Sequence, residues 1–316
     1  MKKTVLVLGA GASCEYGLPT GRQLRDWIIH NAPTSVEPII SSVSQVVFGR
    51  EDHQGRAWVR QSIEAFTSAL QAAATGSIDE FLTYHPNHRD IARLAITRCL
   101  LSLEAKAVVE ANYEAGFFPT LANGFPHPAT GVWPDEISLI TFNYDRVAKY
   151  VVSSILGARH GQAHAEAVCC AFEQAAVHVY GSFAMGYVFD AQKLRFVPQN
   201  RWHGGPSDIA VAEYNESAKG ISVIGDDRSS VSPQIGERIR TADRIVFLGF
   251  GFDDTNVRVL GLEGGAASLK SGCQVLATGY RLSRRKREQV SGLFPGIYLG
   301  GDSTSCAAFV EESGAI

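Results

Sequence analysis

Three stretches of this chain combine residue types and spacings that could do chemistry. Gly9-Ala10-Gly11-Ala12-Ser13 places two glycines and a hydroxyl directly after an aliphatic run. Glycines let a backbone approach a pyrophosphate closely, and a helix N-terminus beyond them offers free N–H groups. A tight turn without a ligand would read the same way. No Gly-Lys-Ser or Gly-Lys-Thr follows, which excludes a Walker loop. Cys14 stands where the usual dinucleotide fingerprint has its third glycine.

The second stretch is Thr141-Phe142-Asn143-Tyr144-Asp145, at the end of the apolar run 137–141. Ligands of open α/β sheets sit at the C-terminal ends of strands, which places Asn143 and Asp145 for work. An Asx turn capping the next helix would explain the same residues. The third stretch is Val177-His178-Val179-Tyr180-Gly181-Ser182. Histidine suits a base near neutral pH. Residues two apart on a strand share a face, so His178 and Tyr180 are expected to line one site. A hydrogen-bonded core histidine is the alternative for His178. Weaker signals are Leu248-Gly249-Phe250-Gly251-Phe252, again a strand running into a glycine turn, and Ala277-Thr278-Gly279-Tyr280.

These stretches need a scaffold. Strands are expected over 4–8, 137–141, 177–180, 221–224, 244–248, 274–278 and 297–299, with helical stretches between many of them. Such alternation argues for an α/β fold, a parallel sheet with helices on both faces. A helical insertion over about 25–135 interrupts it, and within that insertion Ser77 is the expected N-cap of a helix beginning at 78. The polar, glycine-rich region 184–220 is expected to form a hairpin or a lid. The chain, 1–316, reads as one domain.

Of the 316 residues, 45% are hydrophobic and 19% charged, enough for a large core without staples. The net charge of −3 argues against direct nucleic-acid binding. The basic run Arg281, Arg284, Arg285, Lys286, Arg287 reads as a solvated helix face. Six cysteines with no C-x-x-C pair point to mostly buried thiols in a reducing compartment. No metal-ligand spacing is present, and no apolar run reaches the roughly 18 residues of a membrane helix. Met1-Lys2-Lys3 reads as the approach to a strand rather than as a signal sequence.

Beyond Ser13 the chain continues to Gly17, Pro19 and Arg22. With Gly9, Ala10, Gly11 and Ser13, these residues resemble the opening motif of the sirtuin superfamily, GAG-(I/A)-S-x-x-x-G-(I/L)-P-x-x-R. Thr141 to Asp145 resembles that superfamily's T-x-N-x-D motif. Leu248 to Asn256 is similar to the LGFGF-x-(D/E)-x-N segment of its sirtuin-like (silent information regulator two-like) NAD-consuming branch. The likeness covers most of 4–24, 77–83, 137–182 and 244–281. Thr20-Gly21 departs from the deacylases, which carry Asp-Phe there, and Tyr180 stands where the superfamily usually has its histidine. The two C-x-x-C pairs of the deacylase zinc module are absent from the sequence.

The resemblance implies a Rossmann-like fold and an NAD+ glycohydrolase that cleaves the nicotinamide–ribose bond, giving nicotinamide and ADP-ribose or its cyclic form. It implies a cytoplasmic bacterial antiviral effector of the abortive-infection kind. Such an effector would be a homo-oligomer that depletes NAD when assembly, a HerA-like ATPase or another sensor activates it. NAD is then substrate, with no metal. Asn143 would hold the nicotinamide ribose or the attacking water, with His178 as base. Asp145 and the Tyr144 backbone would face the carboxamide. Gly9, Ala10, Gly11, Ala12, Ser13, Pro19, Arg22, Tyr180, Gly249, Gly251, Thr278 and Gly279 would line the dinucleotide, the last two beside the adenine. Gly11→Val is expected to block binding by filling the space of the pyrophosphate. A non-catalytic module holding NAD or ADP-ribose is the alternative, and an NAD-dependent protein deacylase the more distant one.

Overall fold

The computed structural model describes residues 2–35, 40, 53–110, 113, 114, 116–199, 211–224, 226, 229 and 231–316. Its strands in chain order are β1 (Thr4–Leu8), β2 (Ile137–Thr141), β3 (Ala176–His178), β4 (Tyr187–Asp190), β5 (Arg195–Pro198), β6 (Arg244–Leu248), β7 (Gln274–Ala277) and β8 (Tyr298–Leu299). Six of them form one sheet in the order β3-β2-β1-β6-β7-β8, and all its pairs are parallel. Counted within that sheet alone, the order is 3-2-1-4-5-6, the doubly wound Rossmann order. The strand order reverses between β1 and β6. The crevice at the C-terminal ends of these two strands is where such sheets hold ligands.

The central strand shows why the sequence folds this way. All five residues of β1 are buried. Val5 and Val7 pack into one apolar core with Ile140, Val177, Ile245 and Phe247, while Leu6 and Leu8 pack into a second with Leu139, Val246 and Leu248. A continuous β-branched and aliphatic run is what a strand covered on both faces requires.

Between β1 and β2 the described elements are helices: α1 (Gly11–Cys14), α2 (Gly21–Ser35), α3 (His53–Ala72), α4 (Ile78–Tyr84), α5 (Arg89–Glu110) and α6 (Phe118–Asn123). The Ser77 hydroxyl caps α4 by accepting from the Glu80 N–H at 3.1 Å. After β2 come α7 (Val147–His160) and α8 (Gln162–Ala175), then α9 (Val211–Gly220), α10 (Ser232–Thr241), α11 (Asp254–Val259), α12 (Arg284–Leu293) and α13 (Cys306–Ser313). No described helix is long and apolar enough to cross a membrane.

One local expectation differs from the structure. The run 221–224 is not a strand of the sheet; Ile221 makes one antiparallel bridge to Gly181. Asp226 then turns the chain, its carboxylate accepting from Val223 N at 2.7 Å while its amide donates to Val223 O. In the polar region 184–220, β4 and β5 pair as an antiparallel hairpin. Residues 200–210 of that region, His203 among them, lie outside the described residues.

Candidate functional site

The glycine loop after β1 meets the glycine loop after β6 directly. Gly11 N donates to Gly249 O at 3.0 Å, and Gly9 N to Leu248 O at 3.0 Å. A Cβ on Gly11 would fall 2.7 Å from Gly249 Cα, and one on Gly9 would fall 2.5 Å from Gly249 O. Gly249 has a φ of +59°, and a Cβ there would sit 2.0 Å from Ala12 N. These glycines therefore serve a backbone-to-backbone approach. This revises the expectation for Gly11→Val, which would break loop packing before it met any ligand. The amides of Ala12 and Ser13 are also taken, by Gly9 O and Ala10 O. Gly251 differs: it is exposed, and no atom of the described residues lies within 4 Å of its would-be Cβ.

Ser13 meets Asn143 and Asp145, from which 130 residues or more of sequence separate it. Asn143 Nδ2 donates to Ser13 Oγ at 3.1 Å, and Ser13 Oγ donates to Asp145 Oδ1 at 3.0 Å. Asp145 Oδ1 also accepts from Val147 N at 3.2 Å, at the first turn of α7. That bond is the Asx-type capping considered from sequence, here shared with the link to Ser13. Thr141 Oγ1 accepts from Asn143 N and sets the turn off β2. All three side chains are buried, and Asn143 Oδ1 is a buried acceptor with no hydrogen bond among the described residues. Burial, and then the negative charge of Glu104, push the Asp145 carboxyl up to about 7, against the bonds from Val147 and Ser13.

Glu104 is a residue that sequence reasoning missed. It lies on α5 and is fully buried. Its Oε2 accepts from Arg146 N at 2.6 Å, and its Oε1 accepts from Arg146 Nη2 at 2.8 Å and from Tyr187 Oη at 3.1 Å. The Arg146 guanidinium lies 5.4 Å from the ring centroids of both Tyr150 and Tyr187, close enough for cation–π attraction. The available signal was a carboxylate within an otherwise apolar helix stripe, Leu100, Leu101, Ala105, Val108.

His178 and Tyr180 do not share a face. β3 ends at His178, in register with Thr141. The chain then turns, so the two-residue alternation of a strand no longer holds. Tyr180 joins the core of Val177, Phe142 and Tyr144, and its hydroxyl donates to Asn256 Oδ1 at 2.7 Å. His178 instead feels the charges of Glu173, Arg146 and Lys149, with Lys149 bonded to Glu173. Both of its ring nitrogens are buried without a hydrogen bond among the described residues. Burial holds its pKa below the ordinary value; Glu173 opposes that, and Arg146 and Lys149 reinforce it. The imidazole is therefore neutral at pH 7. The Asn143 backbone lies near enough to favour the protonated ring but forms no hydrogen bond with it.

The remaining candidates spread along the same sheet edge. Thr278 Oγ1 accepts from Gly249 N at 2.8 Å, which ties the β7 end to the second glycine loop. Gly279 is buried against Gly300 and Arg287, whose guanidinium donates to both carbonyls. Arg287 is thus structural, and so is Lys286, which donates to Phe252 O; only part of the basic run is a solvated face. Arg22 is exposed at the start of α2. Pro19 lines a cavity of about 410 Å³ with Cys14, Leu18, Gln23, Trp27 and Leu103, beside the first glycine loop. A cavity of about 420 Å³ lies at the opposite, N-terminal edge of the sheet, around Arg244, Gln274 and Tyr298, away from these residues. Burial pushes the Cys14 thiol up to about 11, followed by the charges of Asp145 and Glu15.

The chain matches no protein-family model, and no curated protein matches it.

Proposed function

We propose that the chain is an NAD+ glycohydrolase whose reacting end lies at Asn143. One observation carries this reading. At the C-terminal end of β2, an asparagine is buried with its amide nitrogen fixed by Ser13 of the glycine loop and its amide oxygen without a partner among the described residues. A buried acceptor left unpaired costs roughly 1–3 kcal/mol, a cost that a ligand hydroxyl or a water would relieve.

The chemistry suits the neighbours. Cleaving the nicotinamide–ribose bond passes through an oxocarbenium-like state, as in glycoside hydrolysis. Nicotinamide leaves from a cation and needs no general acid. Fixed dipoles and a positioned water carry the step. Asn143 Oδ1 supplies a dipole. Asp145, poised near 7, can accept from or donate to a carboxamide, which offers both functions. His178 remains the base candidate: it is neutral, and it stands on the strand beside Thr141. The pyrophosphate would lie over exposed Gly251 rather than between the two packed loops.

A chain that destroys NAD needs restraint, and our reading includes control by self-assembly or by a sensor such as a HerA-like ATPase, in an antiviral effector. Nicotinamide release per chain, followed as the concentration of purified protein is raised, tests this. A rate per chain that climbs with concentration, or on adding a partner, supports control by assembly. A full rate from the monomer contradicts it.

A second reading is a module that binds NAD or ADP-ribose without turnover. One observation favours it: the shielding of both His178 ring nitrogens. Saturable NAD binding with no nicotinamide release under any condition would select it.

A further inference from the structure

The buried carboxylate of Glu104 holds three elements at once. It sits in α5, inside the helical segment between β1 and β2; Arg146 follows Asp145 directly; Tyr187 opens the β4–β5 hairpin. Both oxygens are engaged, one by the Arg146 main-chain N–H and the other by the Arg146 side chain and the Tyr187 hydroxyl. The contact to the main chain matters most. It fixes the backbone one residue beyond Asp145 and three beyond Asn143. Apolar packing there would stabilise the fold at least as well, because burying an ion pair costs desolvation that its attraction often fails to recover. What an ion pair adds over apolar packing is direction.

We propose that Glu104 is a positioning residue for the Asn143–Asp145 loop, so that the helical segment forms part of the candidate site; this rests on the reading of that site as the reacting end. Glu104 does not reach the substrate. It acts through Arg146 on the loop, and through its charge on Asp145. The charged and titratable groups around Asp145 are Glu104 from α5 and Cys14 from α1, with Arg146 next in sequence and bonded to Glu104. Of these, Glu104 is the one that raises the Asp145 carboxyl, and burial is the larger cause.

The experiment has two readouts on the full-length chain. In Glu104→Gln, the Asp145 carboxyl is titrated by carbon-13 NMR, and nicotinamide release is measured as kcat and KM. Expected are an Asp145 titration at lower pH than in the unsubstituted chain and a fall in kcat of tenfold or more, with KM within about threefold. The titration stands whether or not the chain releases nicotinamide, so it separates this proposal from the NAD reading. A folded variant with an unmoved Asp145 titration overturns the assignment. So does an unchanged kcat in a chain that releases nicotinamide. If Glu104→Gln does not fold, amide exchange in Tyr187→Phe carries the test, because the Tyr187 hydroxyl is the third bond orienting the carboxylate. Faster exchange at Arg146 N–H with an unchanged rate at Gly249 N–H supports the proposal, and equal protection at both overturns it.

Discussion

On the β6–β7–β8 side of the sheet edge, the loops after the strands are bonded or packed within the protein except at Gly251, which stands open. Gly249 fits against Ala12, Thr278 holds Gly249 N, and Arg287 takes the carbonyls of Gly279 and Gly300. On the β3–β2–β1 side, buried polar atoms are left over: Asn143 Oδ1 and both nitrogens of His178. The contrast separates two uses of similar-looking motifs. Glycine turns at strand ends build the edge, while unpaired buried polar atoms mark where a ligand has something to satisfy.

The largest expected effect lies on the first side. Gly249→Ala adds a Cβ 2.0 Å from Ala12 N at a left-handed φ, and should destabilise the fold by more than about 2 kcal/mol in urea denaturation. Gly251→Ala, two residues on and facing open space, should stay within about 0.5 kcal/mol. Comparable losses from both would remove the distinction between packed and open glycines. On the second side, Asn143→Ala should cut nicotinamide release by about 100-fold or more while circular dichroism shows the fold intact.

The pH dependence of stability sharpens the comparison further. Asp145 is held near 7 in the fold, against about 3.9 for a free side chain. Between those values the folded chain binds more protons than the unfolded one, so this group's contribution falls as pH rises across the window and is level above it. Asp145→Asn should therefore gain stability relative to the unsubstituted chain from about pH 4 to 7, and no more above that. A pH-independent difference in urea midpoints would contradict the assignment. Tyr180→Phe should have the smallest effect on this side, about 1 kcal/mol in thermal or urea unfolding, for the bond to Asn256.

Much of the fold was legible because buried parallel strands leave a local signature. The run 4–8 needed no partner to be recognised, and Asn143 and Asp145 stood out as polar residues ending an apolar run. The failures came where tertiary contact decides. Each glycine loop looks alone like a cradle for a phosphate; that the two pack on each other is invisible until β1 and β6 are neighbours. The shared face expected for His178 and Tyr180 assumed that the strand continues, and it turns instead. Ile221 to Ile224 has a strand's composition, but Asp226 bends it away. Glu104 was hidden because its partners, Arg146 and Tyr187, lie 42 and 83 residues further along.

Asn143 is proposed to stand at the reacting end of a bound NAD. The most direct test is a time course of nicotinamide release by the assembled or partner-activated chain beside Asn143→Ala, both first shown to bind NAD by calorimetry. Expected are release by the unsubstituted chain and almost none by the variant at similar affinity. Equal release by both, or NAD binding without release by either, would contradict it.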